Sequence, residues 1–400
     1  MGRFKKHTPD GAEDCLPREC FLKKNIEASL RSVFLRHGFL EVETPAFEYY
    51  DVFSSGVGSY LQEKMIKFFD AKGRILVLKP DHTVPIARMY NAYYAEGARQ
   101  QRFFYIQNAY SFEQSAYGKS SEYTQAGIEL IGEKGCGADA EVIYIAVQAL
   151  KAAGLKDFKI DIGQVGFFKA LIRDANLEES VIDGIRHNID IKNMFELNNV
   201  LINAGIDDEL KSKLDRLPVL FGGEEVFAEA DAICSSSECR EALQNLREVY
   251  ALLCAYGIRD YISIDLGMLH DIGYYSGIIF RGLASGIGFP VISGGRYDNL
   301  LAEFGTAMPA TGFAMGIKRI MIALEKQGLL QGDAAVDCVV AAEAASVVAA
   351  HEFCERMRDQ GKRVSFCTDG GYEAARELKK QAGAAEGYFF DGKGSRINIE

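Results

Sequence analysis

Ile26, Leu30, Val33 and Phe34 recur at three- and four-residue steps within 22–37, the stripe of a helix that buries one face. Gly38 follows where a left-handed stop would end it. The period then shortens to two. Phe39 alternates with Glu41 and Glu43 ahead of Pro45, predicting a short extended piece closed by proline. Extended segments are also predicted over 74–79, 103–112 and 122–131, and the polar stretch 113–121 joins the last two as a hairpin. A helix fits 140–153, ended by Gly154, and a strand fits 158–162. From 178 to 257 the pattern is helical, clearest at Leu243, Leu246, Val249, Tyr250 and Leu253. Strand patterns return at 262–266 and 273–280, with a helix at 316–327. Sheet, then helices, then sheet again predicts one mixed domain over 1–327 with a helical insertion at about 175–257. Past a linker at 328–333, strands at 336–341, 363–367 and 387–390 alternate with helices at 346–360 and 372–382, and 396–400 is strand-like. That is the order of a small α/β domain over 334–400.

Composition narrows the class. With 400 residues, 48% hydrophobic and 25% charged, the chain is long enough for two or three folded domains. Its net charge of −11 argues against gripping phosphate backbones over much of the surface, which requires clustered cations that release counterions. No stretch of ~18 apolar residues offers a membrane span. The N-terminus has no apolar run behind its charges, so a cytoplasmic protein is expected. The nine cysteines form no Cys-x-x-Cys pair, and the closest, Cys15/Cys20 and Cys234/Cys239, have no histidine nearby. Reduced thiols are expected, with no metal site and no cofactor.

Five segments carry candidate chemistry. Gly118-Lys119-Ser120 ends like a phosphate-binding loop, but position 113 is Glu where that loop needs Gly. In Gly294-Gly295-Arg296-Tyr297-Asp298 the arginine could offer its planar fork to a carboxylate or phosphate, or the segment is a turn followed by a structural ion pair. Pro80-Asp81-His82-Thr83 puts a carboxylate and a hydroxyl near a strand tip. Gln125, Gly127 and Glu129 share one strand face, either a solvated polar face or a floor for a small polar ligand between the amide and the acid. Tyr274 and Tyr275 stand among small residues, as core packing or as part of such a site.

Taken in order, these segments resemble the catalytic core of a class II aminoacyl-tRNA synthetase of the histidyl type. Residues 39–45 resemble motif 1, the dimer-forming element; 105–132 resemble motif 2; and 312–319 resemble motif 3. Pro80-Asp81-His82-Thr83 and Gly273-Tyr274-Tyr275-Ser276-Gly277 resemble the two histidine-pocket signatures, and 334–400 is similar to a shortened anticodon-binding domain. The resemblance implies an α+β fold: an antiparallel sheet core flanked by helices, with a helical insertion and a small C-terminal α/β domain. It further implies that Asp81, Thr83 and Gln125 hold the α-ammonium of histidine, while Glu129 and Tyr275 face its imidazole with Tyr274 alongside.

The departures are informative. The motif 2 arginine that clamps the substrate carboxylate and the α-phosphate falls on Ser111, and the arginine of the second signature falls on His270, while motif 3 keeps Arg319. Removing one donor aimed at developing negative charge costs about 3 kcal/mol, and here two are replaced. The pattern resembles the synthetase paralogue that serves as the regulatory subunit of ATP phosphoribosyltransferase. That family is non-catalytic, partners a short-form catalytic subunit and confers feedback inhibition by L-histidine on the first step of histidine biosynthesis. The C-terminal segment has nine Lys+Arg against eleven Asp+Glu, a poor composition for a tRNA reader. The alternatives are a divergent histidyl-tRNA synthetase, permitted by Arg319 and the C-terminal segment, and a histidine sensor with another partner.

Overall fold

The computed structural model describes residues 6–54, 64–97, 99–112, 121–269, 273–332, 336–368 and 371–400. They divide into two compact units, one spanning Met1–Asp14 and Lys23–Leu330, the other Cys15–Leu22 and Gln331–Glu400.

The first helix runs Pro17–Arg36, five residues ahead of the predicted start, because Pro17 sits where a helix has no N–H to lose. Gly38 ends it at φ +78°, as predicted. β1 (Leu40–Glu41) then lies parallel to β5 (Gln101–Tyr110). β5 pairs with β6 (Glu122–Ile131) from Gln101↔Ile131 to Tyr110↔Glu122, so the predicted hairpin forms, and its loop at 113–120 lies outside the described residues. β2 (Phe47–Tyr49), β3 (Lys67–Phe69) and β4 (Ile75–Leu78) make a separate small sheet in the order β2-β4-β3.

The main sheet is completed by β7 (Phe158–Gln164), β8 (Phe221–Gly222), β9 (Ile262–Asp265), β10 (Ile278–Ala284), β11 (Ile292–Arg296) and β12 (Ala310–Gly316). Its order is β1-β5-β6-β12-β11-β10-β7-β9-β8, antiparallel except for β1/β5 and β7/β9. Buried helices cover it, above all Cys136–Ala152 and Ser237–Ala255.

Four differences from the sequence reading have physical causes. The strand predicted at 273–280 begins only at Ile278, leaving Gly273–Gly277 as a loop. The segment 178–257 is helical but also supplies β8, which pairs with β9 at one sheet edge. β11 was hidden because Gly294-Gly295 read as a turn, and β12 was not predicted. A Cβ on Gly312 would overlap Glu129 Oε2 and the Ile128 carbonyl, and one on Gly294 would overlap the Gly312 carbonyl, so these strands need glycine for close approach rather than for turning. Cys234 and Cys239 are disulfide-bonded rather than free thiols, because the turn between the helices Val226–Ile233 and Ser237–Ala255 brings their Cα atoms to 5.6 Å.

The second unit carries β13 (Cys338–Ala342), β14 (Val364–Cys367), β15 (Glu386–Phe390) and β16 (Arg396–Asn398) in the order β14-β13-β15-β16. The first two pairings are parallel and the last antiparallel. The helices Val347–Asp359 and Tyr372–Ala382 alternate with the strands as expected.

Candidate functional site

A cavity of about 330 Å³ opens in the first unit, and Asp81, Thr83, Gln125, Glu129, Tyr274 and Tyr275 all line it. Register explains the convergence. Glu129 lies opposite Gly312 and Gln125 opposite Gly316, so the cavity follows β6 and β12 over four residues, about 13 Å of strand. Asp81 and Thr83 arrive from the loop after β4. Asp81 Oδ1 accepts from the Val84 amide at 3.2 Å and so anchors the start of the helix Thr83–Tyr93, where the sequence reading placed no helix. Behind this loop the buried Lys79 ammonium donates to the Thr44 carbonyl (2.9 Å), Thr44 Oγ1 (3.0 Å) and Gln107 Oε1 (3.1 Å). Burial lowers that lysine to a pKa of about 8.

At one end sits Glu129, 1% exposed. Thr83 Oγ1 donates to its Oε1 at 2.7 Å and the Tyr297 hydroxyl donates to its Oε2. Burial raises Glu129 to a pKa of about 8 despite these two donors, with Asp81 adding to the rise. Asp81 is likewise raised by burial, to about 6. Two carboxyl groups therefore line one cavity, and burial drives both toward their neutral forms. Tyr274 is packed against Tyr275 and Tyr297, with ring centroids at 5.1 and 5.8 Å.

Among the residues that line this cavity, three buried polar atoms have no hydrogen-bond partner: Asp81 Oδ2, Gln125 Oε1 and the Tyr105 hydroxyl. Two of them can only accept. An ammonium group, with its three N–H donors, is the kind of group that two unpartnered acceptors such as these can take. The sequence reading missed Tyr105 and Tyr297. Gly127 is not an open floor: a Cβ there would overlap the Tyr105 phenol, whose ring fills the space between Gln125 and Glu129 and stacks on His82 at 4.4 Å. The alternation in β5 was the available signal for Tyr105, since it pairs directly with Gly127.

The other end is built differently. Ser111 is 8% exposed and lines the cavity with Lys64, Lys318 and Arg319. Arg319 donates to the Pro290 carbonyl at 3.0 Å and lies over the Phe289 ring. His270 lies outside the described residues. Arg296 is not a ligand fork: its Nε donates to both Asp139 oxygens at 3.0 Å, and its Nη1 reaches Asp298 at 3.0 Å, so it is used up in a buried ion pair within β11 rather than after a turn. No group of three or more potential metal-ligating side chains occurs among the described residues.

The profile of the histidyl-tRNA synthetase family matches residues 11–320. A protein of Acetivibrio thermocellus named ATP phosphoribosyltransferase regulatory subunit is 44% identical over 377 residues, 94% of this chain and 90% of that protein. One of the same name from Ruminiclostridium cellulolyticum is 41% identical over 378 residues, 94% of this chain and 90% of its own length. A crystal structure from Bacillus halodurans, described as an ATP phosphoribosyltransferase regulatory subunit/histidyl-tRNA synthetase, superposes with a TM-score of 0.85 at 31% identity, covering 98% of both chains. A histidyl-tRNA synthetase from Nostoc sp. PCC 7120 superposes with a TM-score of 0.83 at 19% identity, covering 99% of this chain and 97% of that one, and speaks for the fold alone. The expected synthetase-like α+β fold is therefore the observed one.

Proposed function

The chain belongs to the histidyl-tRNA synthetase family and, within it, to the ATP phosphoribosyltransferase regulatory subunits, and on that premise we propose that it is a non-catalytic histidine-binding subunit. It joins a short-form catalytic subunit and makes the first step of histidine biosynthesis sensitive to L-histidine. The observation that carries this reading is the contrast within one cavity: unpartnered Asp81 Oδ2 and Gln125 Oε1 beside Glu129, with Ser111 in place of the motif 2 arginine.

Histidine enters with its α-ammonium on Asp81 and Gln125, and with its imidazole toward Glu129 and Tyr275 beside Tyr274. Thr83 acts through Glu129, to which its hydroxyl donates. A ligand bound better in one quaternary state than in another shifts the assembly by its differential affinity, and that is the physical basis of feedback here. Self-association uses the motif 1-like segment, where Leu40 is 63% exposed. No described helix is long and apolar enough to cross a membrane, and the cytoplasm is the proposed location.

The test is to mix the chain with a short-form catalytic subunit and measure assembly, phosphoribosyl transfer and histidine inhibition together. Co-elution with histidine-sensitive activity is expected, and its absence overturns the reading. Arg319 in the cavity and the C-terminal unit favour a second reading, a divergent histidyl-tRNA synthetase. Histidine-dependent ATP–pyrophosphate exchange would establish it in place of the first.

A further inference from the structure

A second cavity, of about 430 Å³, lies on the other side of Tyr275, which lines both. Its floor is apolar, with Phe168, Ile182 and Leu269, while Lys169, Arg173 and Arg186 bring three cations to its walls. Glu179 is the one acid among the described residues that line it. Arg173 is held by Asp174 and Glu238 and Arg186 by Asp183, three carboxylates that do not line the cavity.

Two features mark these cations as incompletely satisfied. Arg186 Nε is buried without an acceptor. Lys169, on the helix Val165–Ile172, has no carboxylate partner among the described residues, and its Nζ reaches only the Tyr275 carbonyl at 3.5 Å. Lys169 is exposed to water over much of its surface; partial desolvation lowers its pKa first and the neighbouring Arg186 lowers it further, against a smaller opposing pull from Glu179. Like charges held together over an apolar floor are stabilised by an anion placed between them.

We propose that this cavity is a second ligand site, for a small organic anion that carries a carboxylate or phosphate on an apolar body. The anionic group sits between Lys169 and Arg186, and the body lies on Phe168 and Ile182. The site is distinct from the histidine cavity and shares only Tyr275 with it.

Phenyl phosphate is a suitable probe, titrated calorimetrically into the full chain without histidine, so that failure of the histidine reading leaves the result intact. Saturable binding is expected, weakened about tenfold in Lys169→Gln and in Arg186→Gln and retained in Lys169→Arg. Lys169 is exposed and its substitution leaves the fold in place, which a thermal melt of the variant checks. Inorganic phosphate and benzyl alcohol, each lacking half of the chemistry, are expected to bind at least tenfold more weakly. The proposal is overturned by no saturable binding of phenyl phosphate, by binding indifferent to both glutamine variants, or by inorganic phosphate or benzyl alcohol binding as tightly.

Discussion

At the Glu129 end of the first cavity each carboxylate is held by named donors, Glu129 by Thr83 and Tyr297 and Asp81 by the Val84 amide, and two acceptors are left facing inward. At the Arg319 end the position where the family places a phosphate-clamping arginine is the neutral Ser111. Both ends are built on the same pair of strands, β6 and β12. On the proposed reading, the difference separates recognition of an amino acid from its activation on one scaffold. The first needs buried acceptors and is kept by packing, whereas the second needs cations aimed at developing charge and is lost by single substitutions.

The largest effect that tests this contrast is expected from Glu129→Ala. It removes the proposed imidazole partner and strands the Tyr297 and Thr83 hydroxyls, so histidine affinity by calorimetry is expected to fall about a hundredfold or more. Unchanged affinity would move the site elsewhere. Asp81→Asn keeps shape but removes the counter-charge of the ammonium, and a weakening of about tenfold is expected in the same titration. Gly127→Ala probes the close packing there: a Cβ would overlap both the Phe313 carbonyl and the Tyr105 phenol, and this is expected to destabilise the fold by about 1–3 kcal/mol in denaturant unfolding.

A subtler effect is protonic. Glu129 and Asp81 have folded pKa values of about 8 and about 6, above their ordinary 4.5 and 3.8. The folded state therefore holds more protons than the unfolded one across this window. Their contribution to stability is fully present below about pH 4 and is lost as pH rises toward 8. An ammonium beside them favours the ionised forms. Histidine binding near pH 7 is therefore expected to release protons, seen as a calorimetric enthalpy that changes with the ionisation enthalpy of the buffer. Buffer-independent heats would exclude this coupling. The smallest effect is expected at the opposite end. Ser111→Arg restores one cation while position 270 remains histidine, and pyrophosphate exchange is expected to stay at background. Exchange rising clearly above it would break the contrast between the two ends.

Much of the site was legible because it lies in short segments of fixed period. Gln125 and Glu129 share a face by the two-residue repeat of a strand, and the hairpin from 101 to 131 follows from two alternating runs around polar residues. The helix Thr83–Tyr93 was not legible, because Pro85 reads as a breaker although the first turn tolerates it. β11 and β12 were not legible either, because their glycines answer to atoms of other strands. Arg296 stood open between a ligand fork and a structural ion pair until Asp139, 157 residues away in sequence, was seen to hold it.

The sequence by itself determined most of the helices and the hairpin from 101 to 131, the acids, the amide and Tyr274 and Tyr275 of the pocket, and the exchange of an arginine for Ser111. Local periodicity and side-chain chemistry are properties of neighbouring residues and can be read without a fold. Only the tertiary structure decided that Tyr105 fills the space over Gly127, that Tyr297 reaches Glu129, that Cys234 meets Cys239 and that Asp81 Oδ2 and Gln125 Oε1 are left without partners. Desolvation and pairing depend on which distant atoms share a volume, and that is settled only when the sheet closes and water leaves.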